Sequence, residues 1–150
     1  MPRAAVTATP GVLPTESAPR SNHCELAADT RSPGLLRNWV TALLAGWQLP
    51  HLADDLTLIA TELATNAVRH GAAPVWAGLA LCEPEVGQQV VRLEVEDSGP
   101  GFNPDECITA ASDTTESCGG RGLFLVATLA GTWGAMQTAT GQLVWAELPV

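Results

Sequence analysis

Apolar residues recur at helical spacing from Leu36 through Val40, Leu44 and Trp47, with Leu35, Trp39 and Leu43 beside them. That periodicity predicts a first helix that buries most of its surface. Ser32 and Pro33 precede it, reading as an N-cap and a first-turn proline, and Pro50 bounds its far end. A second helical stripe runs through Leu52, Leu56, Ile59, Leu63 and Ala67. Asp54 and Asp55 open that helix, where carboxylates meet the positive end of its dipole, and Gly71 is placed to stop it. Period-two patterning then takes over. Val91, Leu93 and Val95 alternate with Arg92, Glu94 and Glu96, which makes residues 90–97 the clearest strand in the chain. Strands are also expected at 24–27 and 75–82, with a turn at 83–88. Residues 123–129 read as a short apolar helix, and 132–138 with 143–148 as a hairpin around Ala139, Thr140 and Gly141.

These elements do not alternate regularly, so the expected fold class is α+β, a two-layer sandwich, rather than a doubly wound parallel sheet. Residues 1–22 are rich in Ala, Pro, Thr and Ser, carry Pro2, Pro10, Pro14 and Pro19, and have no periodicity. They are expected to be a flexible tail ahead of a single domain over 23–150. The chain of 150 residues can bury a core without a disulfide scaffold.

Charge narrows the partners. The net charge is −9, and all 7 basic residues are Arg. Such a chain lacks the basic footprint that nucleic acid or an anionic membrane surface requires. The acidity serves solubility or attracts a basic protein partner. Cys24, Cys82, Cys107 and Cys118 form no CxxC pair, so free thiols in a reducing compartment are expected rather than a zinc site. No apolar leader or membrane-length run is present in the sequence, which leads to the expectation of a cytoplasmic location.

Three segments carry the candidate chemistry. In the second helix, Glu62, Asn66 and His70 are spaced four apart, along the border of the apolar stripe. A carboxylate and an amide there need partners, although a solvated flank would place them similarly, and His70 would suit a helix C-terminus. At the end of the 90–97 strand, Asp97 shares the parity of Val91, Leu93 and Val95, so it faces the core. An inward carboxylate breaks the binary pattern, and such breaks mark sites. As an acceptor it suits a donor such as the exocyclic amine of adenine; Asp-Ser-Gly is also an ordinary turn opening. Gly119, Gly120, Arg121 and Gly122 end a loop and begin a helix, an arrangement that suits phosphate oxygens or a plain hinge.

Taken together and in this order, the segments resemble the GHKL ATPases, a group that includes histidine kinases, gyrase-type ATPases and the small serine/threonine kinases that act as anti-sigma factors. Residues 62–71, reading Glu-Leu-Ala-Thr-Asn-Ala-Val-Arg-His-Gly, are similar to the N box of that group. Asp97, Gly99 and Gly101 are similar to its first glycine box, and Gly120, Arg121, Gly122 and Leu123 to its second. The Glu-Leu-x-x-Asn-Ala-x-x-His-Gly form and the small size favour the anti-sigma branch.

The resemblance implies a mixed, mostly antiparallel sheet with helices on one face. It implies ATP with Mg²⁺ as cofactors, Asn66 holding the metal against the ATP phosphates, and Asp97 receiving the adenine amine. Glu62 would be the catalytic base on an attacking hydroxyl. Gly99 and Gly101 would shape one hinge of a lid over 102–120; Gly120, Arg121 and Gly122 would form its far end and meet phosphate. The implied function is a serine/threonine kinase that phosphorylates an anti-sigma-factor antagonist of the STAS type. A sigma factor as second partner and a homodimeric assembly come with the same resemblance. The acidic stretch 113–118 departs from a phosphate-binding lid, leaving Arg121, Arg69 and His70 as cations. That departure supports the alternative of a catalytically weak, nucleotide-gated binding module.

Overall fold

The computed structural model describes residues 20–70, 72–100 and 121–150; Gly71 and the side chains of His70 and Arg121 lie outside that description. The elements run β1 (Ser21–Leu26), α1 (Ser32–Gly46), a 3-10 turn (Pro50–Leu52), α2 (Ala53–His70), β2 (Val75–Glu85), β3 (Gln88–Asp97), α3 (Arg121–Leu129), β4 (Thr132–Gln137) and β5 (Gln142–Pro149). The strands form one sheet in the order β1-β2-β3-β5-β4. Every pairing among the described residues is antiparallel, so the mixed character expected of the sheet is not seen there. The helices pack on one face of it, with α2 against α1, α3, β3 and β5. The α+β two-layer sandwich expected from the pattern is the architecture found.

Both helical stripes are buried as the periodicity predicts. Leu36, Val40, Leu44 and Trp47 of the first, and Leu52, Leu56, Ile59, Leu63 and Ala67 of the second, all join the core. Leu35, beside the first stripe, is exposed, whereas Trp39 and Leu43 pack against the core edge. Ser32 does not serve as the N-cap. Arg31 takes that position without a side-chain cap, and the Ser32 hydroxyl, fully buried, donates back to the Ala27 carbonyl. That bond satisfies a group that helix initiation would otherwise leave in an apolar setting. Past α1, Gln48 adopts φ 61 and Leu49 N–H closes on the Leu44 carbonyl at 2.8 Å, which turns the chain into α2.

Strand boundaries differ from the pattern reading where register, rather than hydrophobicity, decides them. β1 is Ser21–Leu26, so residues 21 and 22, expected in the tail, pair with Ala80 and Leu79. β2 runs on to Glu85 through an irregularity between Cys82 and Glu85, and the turn shrinks to Val86 and Gly87. Gly87 sits at φ 80, where a side chain would be strained, and its N–H is held by Glu83 Oε1 at 2.7 Å.

The two faces of the sheet separate by residue parity. Toward the helices lie Val75, Ala77 and Leu79 of β2, Val91, Leu93 and Val95 of β3, and Val144, Ala146 and Leu148 of β5, all buried. The opposite face carries Arg92, bonded to Glu94 at 2.7 Å and to Glu147 at 2.9 Å, with its guanidinium 4.3 Å from the Trp145 ring centroid.

Candidate functional site

Asp97 is the last residue of β3, and the alternation of the strand carries it to the helix side of the sheet. Its carboxylate is half-buried there, and Oδ1 accepts the Gly99 N–H at 2.7 Å. The turn reading and the site reading of Asp97 are therefore compatible. One backbone donor occupies part of an acceptor group that offers about four lone-pair sites. Burial pushes the Asp97 carboxyl above its ordinary value; the Gly99 N–H opposes this, and the charge of adjacent Glu96 adds to the rise. A carboxylate short of solvation gains most from an incoming donor, which is the electrostatic condition for recognising an amine.

The backbone around Asp97 is pinned from two directions. Ser98 N–H bonds the Ala72 carbonyl at 2.8 Å and its hydroxyl reaches Pro74 O at 3.2 Å, which ties the end of β3 to the connection leaving α2. On the other side Gly141 packs directly on the Asp97 carbonyl and the Ser98 Cα; a Cβ at residue 141 would collide with both. Gln142 pairs with Asp97 across β3 and β5 and is 1% exposed. Pattern reading treated Gly141 as a plain hairpin residue and passed over Gln142. The signal was available: Gln142 shares the inward parity of Val144, Ala146 and Leu148, the same polar break that drew attention to Asp97.

Glu62 and Asn66 lie one turn apart on α2, both half-buried, beside fully buried Leu63 and nearly buried Ala67. They therefore occupy the border of the apolar stripe, as their spacing predicts. The structure brings Glu62 to the start of α3: a Cβ built on Gly122 would lie 2.5 Å from Glu62 Oε2. Gly122 is buried, as are Leu123 and Val126 behind it on α3. Arg69 is exposed. Arg121 begins α3, Gly99 stands two residues past Asp97, and Gly101, Gly120 and the lid expected at 102–120 lie outside the described residues.

These groups fit a nucleotide in kind. Asp97 has the acceptor that a purine amine would need, and the amide of Asn66 has one neutral oxygen that a hard cation could take. Among the described residues no group of three His, Cys, Asp or Glu side chains could hold a metal ion. A Mg²⁺ ion here would be held chiefly by the phosphates and waters it arrives with, which is its ordinary habit. Also among the described residues, no helix is long and apolar enough to cross a membrane. Comparison with curated proteins finds no match. A family model for the histidine kinase-like ATPase domain does match, over residues 26–148, from the last residue of β1 to the penultimate residue of β5. The chain belongs to the histidine kinase-like ATPase family, within the GHKL superfamily.

Proposed function

We propose that this protein is an ATP-binding serine/threonine kinase of the anti-sigma-factor type, which transfers the γ-phosphoryl group of Mg-ATP to a serine of an antagonist protein. The observation that carries the reading is that Asp97, partly desolvated on the helix side of the sheet, lies on the same side as Glu62 and Asn66 of the helix packed over it. One end has the chemistry to accept a purine amine. The other has a carboxylate able to orient a hydroxyl and take its proton, and an amide able to meet the metal. Mg²⁺ would supply charge neutralisation on the transferring group, and phosphoryl transfer asks little covalent help of a protein beyond that and positioning. The acidic surface of the chain agrees with partners that are proteins rather than nucleic acid. A STAS-type antagonist, a sigma factor and a second copy of the chain are the partners proposed.

Calorimetric titration with Mg-ATP tests the binding half. Asp97→Asn is expected to weaken binding about 10–100-fold, the cost of a charge-assisted bond to the adenine amine. Equal affinity in both proteins would remove the adenine assignment. The transfer half is tested with radiolabelled ATP and candidate antagonist proteins. Label should reach a serine, and Glu62→Ala should abolish that while leaving the titration unchanged. Tight nucleotide binding that alters partner affinity, with Glu62→Ala functionally silent, would instead establish the gated module that the acidic 113–118 sequence favours.

A further inference from the structure

Gly122 has no backbone reason to be glycine. Among the described glycines only Gly87 has positive φ, so Gly122 holds a conformation that alanine adopts freely. It lies in the first turn of α3, where alanine is the better helix former. What excludes a side chain is Glu62. A Cβ on residue 122 would stand 2.5 Å from Glu62 Oε2, 3.4 Å from its Cδ and 3.6 Å from its Cβ. Gly122 and Leu123 are buried where α3 packs on α2, and Glu62 beside them is half-buried. Oε2 is the far end of a flexible, half-buried side chain, so a methyl group at residue 122 would be accommodated by moving the carboxylate away from the first turn of α3.

We propose that Gly122 is a positioning residue for Glu62: the missing side chain reserves the volume in which the carboxylate rests against the first turn of α3. The inference builds on the phosphoryl-transfer reading and assigns this glycine a task other than phosphate contact. The two tasks separate cleanly. A phosphate would be met by the Gly122 N–H, which alanine retains. Room for the carboxylate is lost as soon as a methyl group is added. A base displaced by about 1 Å can lose about a hundredfold in rate while substrate binding is untouched.

The experiment is a thermodynamic cycle read in two ways on the full chain: wild type, Gly122→Ala, Glu62→Ala and the double variant. In nucleotide-free thermal unfolding, the effect of Gly122→Ala on Tm is expected to be at least about 2 °C less favourable in the wild-type background than in the Glu62→Ala background. In the Glu62→Ala background, with the clash gone, the same change should raise Tm by about 1–3 °C through helix propensity. An equal effect in both backgrounds overturns the contact. Should Gly122→Ala alone fail to fold, recovery of folding in the double variant supports the proposal and its absence overturns it. In transfer assays, Gly122→Ala should lower kcat about 10–100-fold with the ATP KM and the calorimetric Mg-ADP affinity within about twofold of wild type. A parallel loss of nucleotide affinity would return Gly122 to phosphate contact and sink the positioning role. A wild-type chain that binds Mg-ADP but transfers nothing would remove the kinase reading, while the Tm cycle would still decide the contact.

Discussion

Leu93 and Arg92 are neighbours on β3 and face opposite sides of the sheet. Leu93 is fully buried beneath the helices, among Leu79 and Ala146 at the same level of the flanking strands. Arg92 lies on the other side, where its partners are Glu94, Glu147 and the Trp145 ring. The helix side is held by shape and apolar area, the other by a charge network whose members remain about one-fifth exposed. The candidate site belongs to neither regime. It sits where the apolar rows of the helix side end in Asp97 and Gln142, so polar groups there inherit the burial of a core without its apolar partners. That boundary is what raises the Asp97 carboxyl above its ordinary value.

Breaking the helix side should have the largest effect. Leu93→Ala removes a fully buried side chain at the centre of the sheet, and about 3–4 kcal/mol of unfolding free energy should go with it. Urea titration measures this, and the loss should persist in 1 M salt. Arg92→Ala on the other side should cost about 2 kcal/mol, from the lost cation–π contact and from two glutamates left without their shared cation. Unlike the Leu93 effect, this one should shrink as salt rises, because charges still one-fifth exposed are partly screened. If both losses respond equally to salt, the division of labour between the faces is wrong.

How much of this was legible beforehand follows the same division. The apolar rows of the helix side could be read. Its stripes at Leu36–Val40–Leu44 and Leu56–Ile59–Leu63 and its strand parity are one-body properties of the sequence, and all these residues are buried. Asp97 and Gln142 were detectable by the same logic as polar interruptions of apolar rows, though only Asp97 was singled out. What periodicity could not deliver were close approaches between distant segments. Gly141 against the Asp97 carbonyl and Gly122 against Glu62 are two-body facts, fixed by how a hairpin and a helix dock. The Arg92 network was hidden for a related reason: alternation predicts an outward arginine, while pairing with Glu147 depends on β5, and not β4, being the neighbour of β3. Ser32 failed as a cap because its hydroxyl finds a better partner in Ala27, five residues back.

A smaller effect, but one whose sign is diagnostic, concerns Asp97 itself. Its pKa is raised above 3.8 in the folded chain, so between these values the native state binds more protons than the unfolded one. The stabilisation present below pH 3.8 is then lost as pH rises through the folded-state value. Ionised Asp97 is thus a liability to the nucleotide-free domain at neutral pH. Asp97→Asn should be at least as stable as wild type at pH 7 in the absence of nucleotide, and that relative advantage should vanish toward pH 3.8. Nucleotide affinity runs the other way: it should fall as pH is lowered through the Asp97 titration, because the protonated acid loses acceptor capacity. Chemical unfolding of the pair of proteins at several pH values supplies the first comparison and calorimetry the second. A variant that is clearly less stable than wild type at pH 7 would mean that Asp97 is a structural turn residue first.

The finest comparison uses one thiol on each side of the sheet. Cys24 shares the parity of Leu26 and packs against the core under the helices. Cys82 shares the parity of Ala80 and Arg92 on the opposite side. Burial pushes both thiols up from their ordinary value; at Cys82 the nearby Arg92 opposes the rise, and Glu147 and Glu94 add to it. Both should therefore react with a disulfide reagent at pH 8 more slowly than a free thiol, since the thiolate is the nucleophile. Their routes to reaction differ, however. Cys24 is reached by loosening the helix layer, so low urea, or the Leu93→Ala cavity, should accelerate it well before global unfolding. Cys82 needs no such opening and should respond instead to salt, which weakens the charge network beside it. With Cys107 and Cys118 replaced by serine, mass spectrometry of timed labelling resolves the two. Identical responses of both thiols to urea and to salt would show that the sheet loosens as one unit and that its faces are not independently held.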